Sequence, residues 1–148
     1  MKRGLVFAKY GSLAASTRQR FVQTIPYLQE EGIEIDICPL FDNGYLERFF
    51  QEGHHQALRI MQAYGKRLLD LLRVRQYDFL WVQYELFPYL PGTIDAVLKF
   101  ANKPIILDFD DAIFHQYDQH PNKWTRTFLS KKLIPLLQAS DLAFCGND

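Results

Sequence analysis

Short apolar runs alternate with longer amphipathic stretches along the whole of this chain. Five of these runs predict β-strands, over residues 5–8, 33–37, 79–82, 104–109 and 142–145. Since stretches of helical periodicity separate the strands, the pattern predicts βαβ units, which form a parallel sheet covered by helices. The expected fold is therefore α/β, a Rossmann-like doubly wound parallel sheet with helices on both faces. We expect the strand order 3-2-1-4-5.

The clearest helical period covers residues 54–75, and its apolar stripe is expected to face the sheet. The stripe consists of Ala57, Leu58, Met61, Tyr64, Leu68, Leu71 and Leu72. Shorter helices are predicted over 45–51, 93–101 and 123–139. Another begins near the capping-box motif Ser16-x-x-Gln19. Proline is expected to kink or delay that helix at Pro26 and to end the second strand at Pro39.

The size and charge of the chain narrow the functional classes. Its 148 residues match one domain, and 17 Lys+Arg balance 17 Asp+Glu, which disfavours a general attraction to nucleic acid. No apolar run approaches the ~20 residues that span a bilayer. The apolar start is also shorter than the ~7–15 residues of a signal-peptide core. We therefore expect a cytoplasmic protein, and membrane association is not indicated by the sequence.

Cys38 and Cys145 lie in strands expected at opposite sides of the sheet, and a disulfide needs Cα atoms within ~7 Å, so free thiols are expected.

The chain ends about three residues after the last predicted strand, where another helix normally follows. We expect residues 1–148 to form one domain of a longer protein whose C-terminal domain is absent here.

Candidate chemistry lies in the loops after the strands, because ligands of parallel sheets collect at the carboxyl ends of the strands. The first loop carries Gly11, Ser12, Arg18 and Arg20. Gly11 would let a ligand approach the backbone, and the arginines would bind a phosphate or carboxylate. The alternative is an ordinary βα turn with solvated arginines. The dinucleotide fingerprint Gly-x-Gly-x-x-Gly is absent.

Acidic side chains follow the third and fourth strands. Glu85 is expected to point into the cleft, and the alternative is a glutamate that caps a helix or is solvated. Asp108, Asp110 and Asp111 repel one another unless they are solvated, paired or metal-bound. Strand alternation sends Asp108 and Asp110 to one side, toward the cleft mouth or a neighbouring arginine, and Phe109 to the other, where it packs. Asp111 has the alternative role of a turn cap.

A metal site and a phosphatase motif are less well supported by the sequence. His115, Asp118 and His120 are residue types that bind metals, but their spacing fits no known metal motif, so a polar loop is preferred. The strand ending in Asp108-x-Asp110 is similar to the first motif of haloacid-dehalogenase-like phosphatases. Ala112 replaces their usual threonine, and only 37 residues follow Asp111, too few for their later motifs.

Several segments together carry a more extensive resemblance. They are residues 11–20, 26–33, 77–85 with Gln-Tyr-Glu at the end, 103–113 with Asp-Phe-Asp-Asp-Ala-Ile, and 139–147 with Gly-Asn. This combination resembles the N-terminal domain of GT-B glycosyltransferases, specifically the large retaining group called glycosyl transferases group 1 (family 4). The resemblance covers nearly the whole chain. It implies one of two Rossmann-like domains that face each other across a cleft.

The resemblance implies roles for individual residues. Gly11 and Ser12 would approach the donor diphosphate, with Arg18 and Arg20 as further anion contacts. Glu85, Asp108 and Asn147 would line the acceptor side of the cleft. Asp110 or Asp111 would stand where relatives often carry a histidine near the transferred sugar, and these two are the candidate catalytic residues. GT-B enzymes generally need no metal, so neither a metal nor a cofactor is expected.

The implied activity belongs to the longer protein. That protein is expected to transfer a sugar, with retention, from a nucleotide-sugar donor to a glycan, lipid or small-molecule acceptor. The 148-residue piece alone is expected to be inactive, because donor binding belongs to the absent domain. The alternative is a non-catalytic binding module that kept the Rossmann-like shape. About 200 further residues with a Glu-x7-Glu donor motif would favour the transferase.

Overall fold

The computed structural model describes residues 1–53 and 57–146, which form one five-stranded sheet. The strands are β1 (Lys2–Tyr10), β2 (Ile33–Phe41), β3 (Phe79–Gln83), β4 (Ile105–Phe109) and β5 (Leu142–Cys145). Every neighbouring pair is parallel. The α/β expectation, a Rossmann-like doubly wound sheet flanked by helices, is confirmed.

The predicted strand order 3-2-1-4-5 is wrong, because the observed order is β2-β1-β3-β4-β5. The physical reason lies in the apolar patterns of the first two strands. Residues Leu5, Val6, Phe7 and Ala8 of β1 are all fully buried, as a central strand requires, since both of its faces are covered. β2 alternates between apolar and charged residues, which suits an edge position with one solvated side.

Pro39 does not end β2, which continues to Phe41. The edge position explains the difference. Pro39 pairs with Ala8 of β1 in the register, and its other side has no neighbouring strand. A proline is tolerated on an edge strand, where the missing backbone N–H removes no ladder hydrogen bond. β2 is therefore four residues longer than its alternating apolar pattern indicates.

The helices predicted over 45–51, 93–101 and 123–139 begin within two residues of the predicted positions, but the second changes from α to 3-10 at Ala96, and the helix His115–Asp118 was not predicted. The α-helices are α1 (Ala15–Thr17), α2 (Ile25–Glu30), α3 (Asn43–Glu52), α4 (Ala57–Leu72), α5 (Gly92–Asp95), α6 (His115–Asp118), α7 (Lys123–Leu129) and α8 (Ile134–Ala139). A π-helix covers Arg18–Val22, and 3-10 helices cover Val74–Gln76 and Ala96–Ala101. The capping box at Ser16 does not form, since α1 follows Ala14 without a side-chain cap. The delayed start at Pro26 is confirmed, because proline suits the first turn of α2.

Two hydrophobic clusters lie on opposite faces of the sheet. The larger one joins alternate strand residues to Tyr64 and Leu71 of α4, Leu98 and Leu136, and the strand residues are Leu5, Phe7, Leu80, Val82, Ile105 and Leu107. The smaller one joins Val6 and Ala8 to Phe21 of the π-helix. Phe109 packs against the larger cluster, on the side expected from strand alternation. The carboxyl ends of the strands remain open between these layers.

Helix α4 turns a different face to the sheet than its apolar stripe predicts. Arg67 and Asp70 are the buried residues of the helix, whereas Leu58, Met61 and Leu72 are each at least 70% exposed. Arg67 donates hydrogen bonds to the carbonyl oxygens of Ala8 (2.7 Å) and Cys38 (3.0 Å). The guanidinium therefore occupies the sheet-facing side. Only Tyr64 and Leu71 of the predicted stripe pack on the core.

This orientation predicts that polar residues are tolerated on the outer face of α4. Leu68→Gln and Leu72→Gln should each change the free energy of unfolding by less than about 0.5 kcal/mol, because these side chains are already in water. Leu71→Ala, on the sheet-facing side, should cost about 2 kcal/mol or more. Urea denaturation of the three variants tests the orientation. Equal losses at Leu68 and Leu71 would contradict it.

The two cysteines are free, as expected, with Cys38 buried and Cys145 exposed. They lie on β2 and β5, the two edge strands of the sheet, so the separation argued from the sequence is confirmed. In residues 1–53 and 57–146, no helix has the length and apolar character needed to cross a bilayer.

Candidate functional site

The loop after β1 is held by Asn43, the first residue of α3. Asn43 accepts a hydrogen bond from the backbone N–H of Leu13 (3.0 Å), and its amide donates to Ser12 Oγ (3.1 Å). A Cβ on Gly11 would overlap with the Asn43 side chain, so glycine is required here for close packing. Gly11 also donates its N–H to the carbonyl of Phe41. Ser12 remains exposed at the tip of a firmly shaped loop.

The two arginines after this loop have separate structural roles. Arg18 donates hydrogen bonds to the carbonyl oxygens of Ser12 (3.3 Å) and Leu13 (2.9 Å), and so closes the loop on itself. Arg20 forms a two-pronged ion pair with Asp108, in which Nε lies 3.3 Å from Oδ2 and an Nη donates to Oδ1. This pair raises the pKa of Arg20, first through the hydrogen bond to Asp108.

The three aspartates after β4 are in three different environments. Asp108 is buried and paired with Arg20, the arrangement expected for a carboxylate beside an arginine. Asp111 is exposed and accepts a hydrogen bond from the N–H of Ala112 (2.8 Å), which is the turn-cap alternative. Asp110 is half-buried, and its Oδ1 is buried without a hydrogen-bond partner among residues 1–53 and 57–146. Asp110 is therefore the aspartate of this loop with unused acceptor capacity.

Glu85 does not reach the open surface, because it is 2% exposed and belongs to a buried charge network. Both of its oxygens accept from the Tyr117 hydroxyl, at 2.7 and 2.8 Å. The Lys132 ammonium lies 3.2 Å from Glu85 Oε2 and 2.8 Å from Asp95 Oδ2. Burial raises the pKa of Asp95 to about 6, against the lowering effect of Lys132. Neither the cleft position nor the helix cap expected for Glu85 describes this arrangement.

The same network fixes the loop that follows β3. Tyr84 and Tyr89 have φ angles of 64° and 60°, in the left-handed region that tyrosine rarely adopts. Tyr89 donates its backbone N–H to the Tyr117 hydroxyl (3.1 Å), and Asp95 accepts from the N–H of Phe87 (3.1 Å). Strained backbone of this kind persists only where the surroundings hold it. The buried charges therefore stabilise an unusual loop at the carboxyl edge of the sheet.

A pocket of about 470 Å³ opens beside this loop, and we call it the tyrosine pocket. Its walls are Lys9, Tyr10, Phe41, Tyr45, Ile60, Tyr64, Pro88, Tyr89, Leu90 and Gln116. β1 and β2 end at Tyr10 and Phe41, so the pocket lies at the carboxyl ends of these strands. The Tyr64 hydroxyl donates to the carbonyl of Pro88 and ties α4 to the loop. Its pKa is raised to about 12, mainly by burial.

The remaining candidate residues of the sequence do not form a site. His115 Nδ1 lies 3.0 Å from Asp118 Oδ1, while His120 accepts from the backbone of Asn122, and this loop includes the unpredicted helix α6. Across the described part of the chain, no group of three or more His, Cys, Asp or Glu is placed to bind a metal ion. Asn147, predicted to lie on the acceptor side, is outside the described residues.

The sequence did not predict the side chains that stabilise the loop after β3 or the cation of the tyrosine pocket. Tyr117, Asp95, Lys132 and Lys9 have no motif around them, and their partners are distant in sequence, for example 37 residues between Asp95 and Lys132. One available signal was Lys132 itself, next to Lys131 at the approach to an amphipathic helix. Nothing in the sequence shows which of two adjacent lysines turns inward.

Comparisons with known proteins leave the family open. No protein-family model matches the chain, and no curated protein matches it. Among solved structures, a yeast Spc42 trimeric coiled-coil segment fused to another structure aligns with a TM-score of 0.42 and 9% identity. The alignment covers 99% of this chain and 70% of that one.

Proposed function

We propose that this chain is the acceptor-side domain of a retaining GT-B glycosyltransferase of the group 1 type. The observation that carries the proposal is the gathering of three features at the carboxyl edge of one parallel sheet. They are the Gly11–Ser12 loop, the Arg20–Asp108 pair and the unpaired oxygen of Asp110. Ligands of doubly wound sheets bind at this edge. The sequence resemblance supplies the reaction class.

In this proposal the loop after β1 faces the donor diphosphate. Ser12 is exposed, and Arg18 holds the loop in shape by binding the carbonyls of Ser12 and Leu13. In the reaction, the bond between the sugar C1 and the diphosphate oxygen breaks, and C1 bonds to the acceptor oxygen. The diphosphate leaves with the electron pair of the broken bond, and its oxygen takes the proton that the acceptor hydroxyl loses. Arg20 has a different role, since it is committed to Asp108.

Asp110 is proposed to orient a hydroxyl group of the transferred sugar or of the acceptor. Its Oδ1 is buried and has no partner within the described part of the chain, so it retains hydrogen-bond acceptor capacity. Gly146 packs directly on the Asp110 backbone, where a Cβ would come within 3.0 Å, so the backbone that carries this carboxylate is restrained. A buried acceptor held in place costs little reorganisation when a substrate hydroxyl meets it.

Asp110→Asn tests the proposal in the longest natural form of the chain. Turnover with nucleotide sugar should fall at least about tenfold, because removing a well-placed group commonly costs ~10²–10⁴ in rate. Its melting temperature should stay unchanged. Asp111→Asn is the matched control, since Asp111 caps a turn and its loss should cost about 1 kcal/mol of stability with little effect on rate. Full activity of Asp110→Asn would refute the assigned role.

A non-catalytic binding module is the second candidate, and one observation favours it. Two of the three aspartates at this edge are engaged in structural contacts, Asp108 with Arg20 and Asp111 with the Ala112 backbone. A module of this kind would bind a ligand in the longest natural form without consuming nucleotide sugar. Turnover by that form would exclude this candidate.

A further inference from the structure

The tyrosine pocket has the dimensions and the composition of a small-ligand site. Its volume of about 470 Å³ lies within the ~300–1,000 Å³ typical of such sites. Aromatic rings dominate its walls: Tyr10 lies 5.8 Å from Phe41, and Phe41 stacks on Tyr45 at 4.5 Å between centroids. Rings packed on one another in this way form a firm apolar wall. A flat or ring-shaped ligand matches such a wall better than an extended chain does.

The charge in the pocket is the ammonium of Lys9. Within residues 1–53 and 57–146, the Lys9 ammonium has no hydrogen bond or ion pair, and its closest described partner is the Tyr10 ring at 5.7 Å. Burial lowers the pKa of Lys9, and the charge of Glu85 opposes that shift only in part. A half-buried cation without an anionic partner favours a ligand that brings a negative charge. The backbone N–H of Lys9 is fixed by the Gln83 side chain (3.1 Å).

Tyr89 provides a ring at the mouth of the pocket. It is 51% exposed, and its backbone is held in the left-handed region through the hydrogen bond to Tyr117. Its ring contacts Tyr117 and His120 edge-on, at 5.6 and 5.9 Å, so its orientation is also fixed. Because its orientation is held and half of its surface is exposed, the ring is available to stack on a ligand.

We propose that the tyrosine pocket binds an acidic sugar ring, with its C–H face against Tyr89 and Tyr10 and its carboxylate or phosphate on the Lys9 ammonium. This assignment names the acceptor class and so rests on the proposed glycosyltransferase function. Lys9 and the tyrosines bind and orient the ring, and they take no part in bond making or breaking. A neutral sugar would satisfy the rings but leave the ammonium without a counter-charge.

Binding is measured with the 148-residue chain by ligand-detected NMR titration, using methyl β-D-glucuronide, methyl β-D-glucoside, glucose 6-phosphate and benzoate. The glucuronide or the phosphate should bind at least about tenfold more tightly than the neutral glucoside. Lys9→Met should remove this preference, whereas Lys2→Met, on the exposed start of the same strand, should leave it intact. Tyr89→Gly, which keeps the left-handed backbone, should weaken all sugar probes.

Several results would overturn the assignment. They are an affinity for the glucoside that equals the affinity for both acidic sugars, no binding of any sugar probe, or tighter binding of benzoate than of both acidic sugars. Loss of binding by Lys2→Met equal to that of Lys9→Met would do the same. Acidic-sugar binding that depends on Lys9, in a longest natural form without turnover, would retain the pocket and reject the transferase. Turnover that Lys9→Met and Tyr89→Gly leave unchanged would retain the transferase and reject the pocket.

Discussion

Replacing Lys132 with methionine should lower the free energy of unfolding by about 3–5 kcal/mol. The Lys132 side chain is fully buried, and its ammonium contacts Glu85 and Asp95, whose side chains are also buried. Methionine fills a similar volume but leaves two carboxylates in a medium of low polarity without a counter-charge. Urea denaturation at pH 7 measures the loss. Lys131→Met is the matched control, because Lys131 is exposed and its replacement should change little.

The loss should depend on pH in a defined direction. Burial already raises the pKa of Asp95 to about 6, so the folded protein holds this proton more tightly than the unfolded chain, whose value is near 3.8. Stability linked to Asp95 is therefore present below pH 4 and is lost as the pH rises through 6. Without Lys132, which lowers the pKa of Asp95, this carboxyl group holds its proton more tightly still, so the variant should recover stability between pH 7 and pH 5. An equal loss at both pH values would contradict the network.

Gly92→Ala should cost about 3 kcal/mol, at the upper end for an added methyl group. A Cβ on Gly92 would overlap with the carbonyl group of Lys132, and a backbone carbonyl is unable to rotate aside as a side chain does. Gly92 begins α5, the helix that also carries Asp95. The substitution would therefore separate α5 from the segment before α8 and disturb the ion pair between them.

Gly65→Ala is the control for this prediction, because the same atom is added to a different environment. Gly65 lies within α4, and a Cβ there would meet no atom within 4 Å. Alanine should stabilise the protein by about 0.5–1 kcal/mol, since glycine weakens a helix interior. Thermal melts of the two variants should shift in opposite directions. Equal shifts would show that the close approach at Gly92 is absent.

The sequence predicted the strands better than their arrangement. Alternation of apolar runs with helical stretches locates all five strands, because burial of apolar side chains fixes that pattern. Strand order depends on which strand faces are covered. β1 is buried on both faces, whereas β2 alternates between apolar and charged residues, and this contrast indicates that β1 is central and β2 lies at the edge. The predicted sheet-facing side of helix α4 was wrong for a different reason. Its sequence has apolar residues on two faces, and the carbonyls of Ala8 and Cys38 recruit Arg67 to the sheet side.

The candidate site was predictable where chemistry is local and unpredictable where it is distant. The Asp111 cap and the packing of Phe109 follow from the strand end and its alternation. The ion pair of Arg20 with Asp108 spans 88 residues, and the bond of Tyr117 to Glu85 spans 32. Such partners meet only through the strand order. Glu85 follows a strand, so the sequence alone predicts a cleft residue. Only the tertiary structure shows that Tyr117 and Lys132 bind its carboxylate in the interior.

The central position of β1 also has a consequence for synthesis of the chain on the ribosome. β1 can pair with β2 as soon as residue 41 has emerged, but its second neighbour, β3, ends at Gln83. At ~5–20 residues per second, the intervening segment of roughly 40 residues takes about 2–8 s to appear. During that time β1, whose residues 5–8 are fully buried in the folded protein, has an open edge, which is a template for pairing with other chains. Nascent chains of this length are therefore the forms most in need of a chaperone.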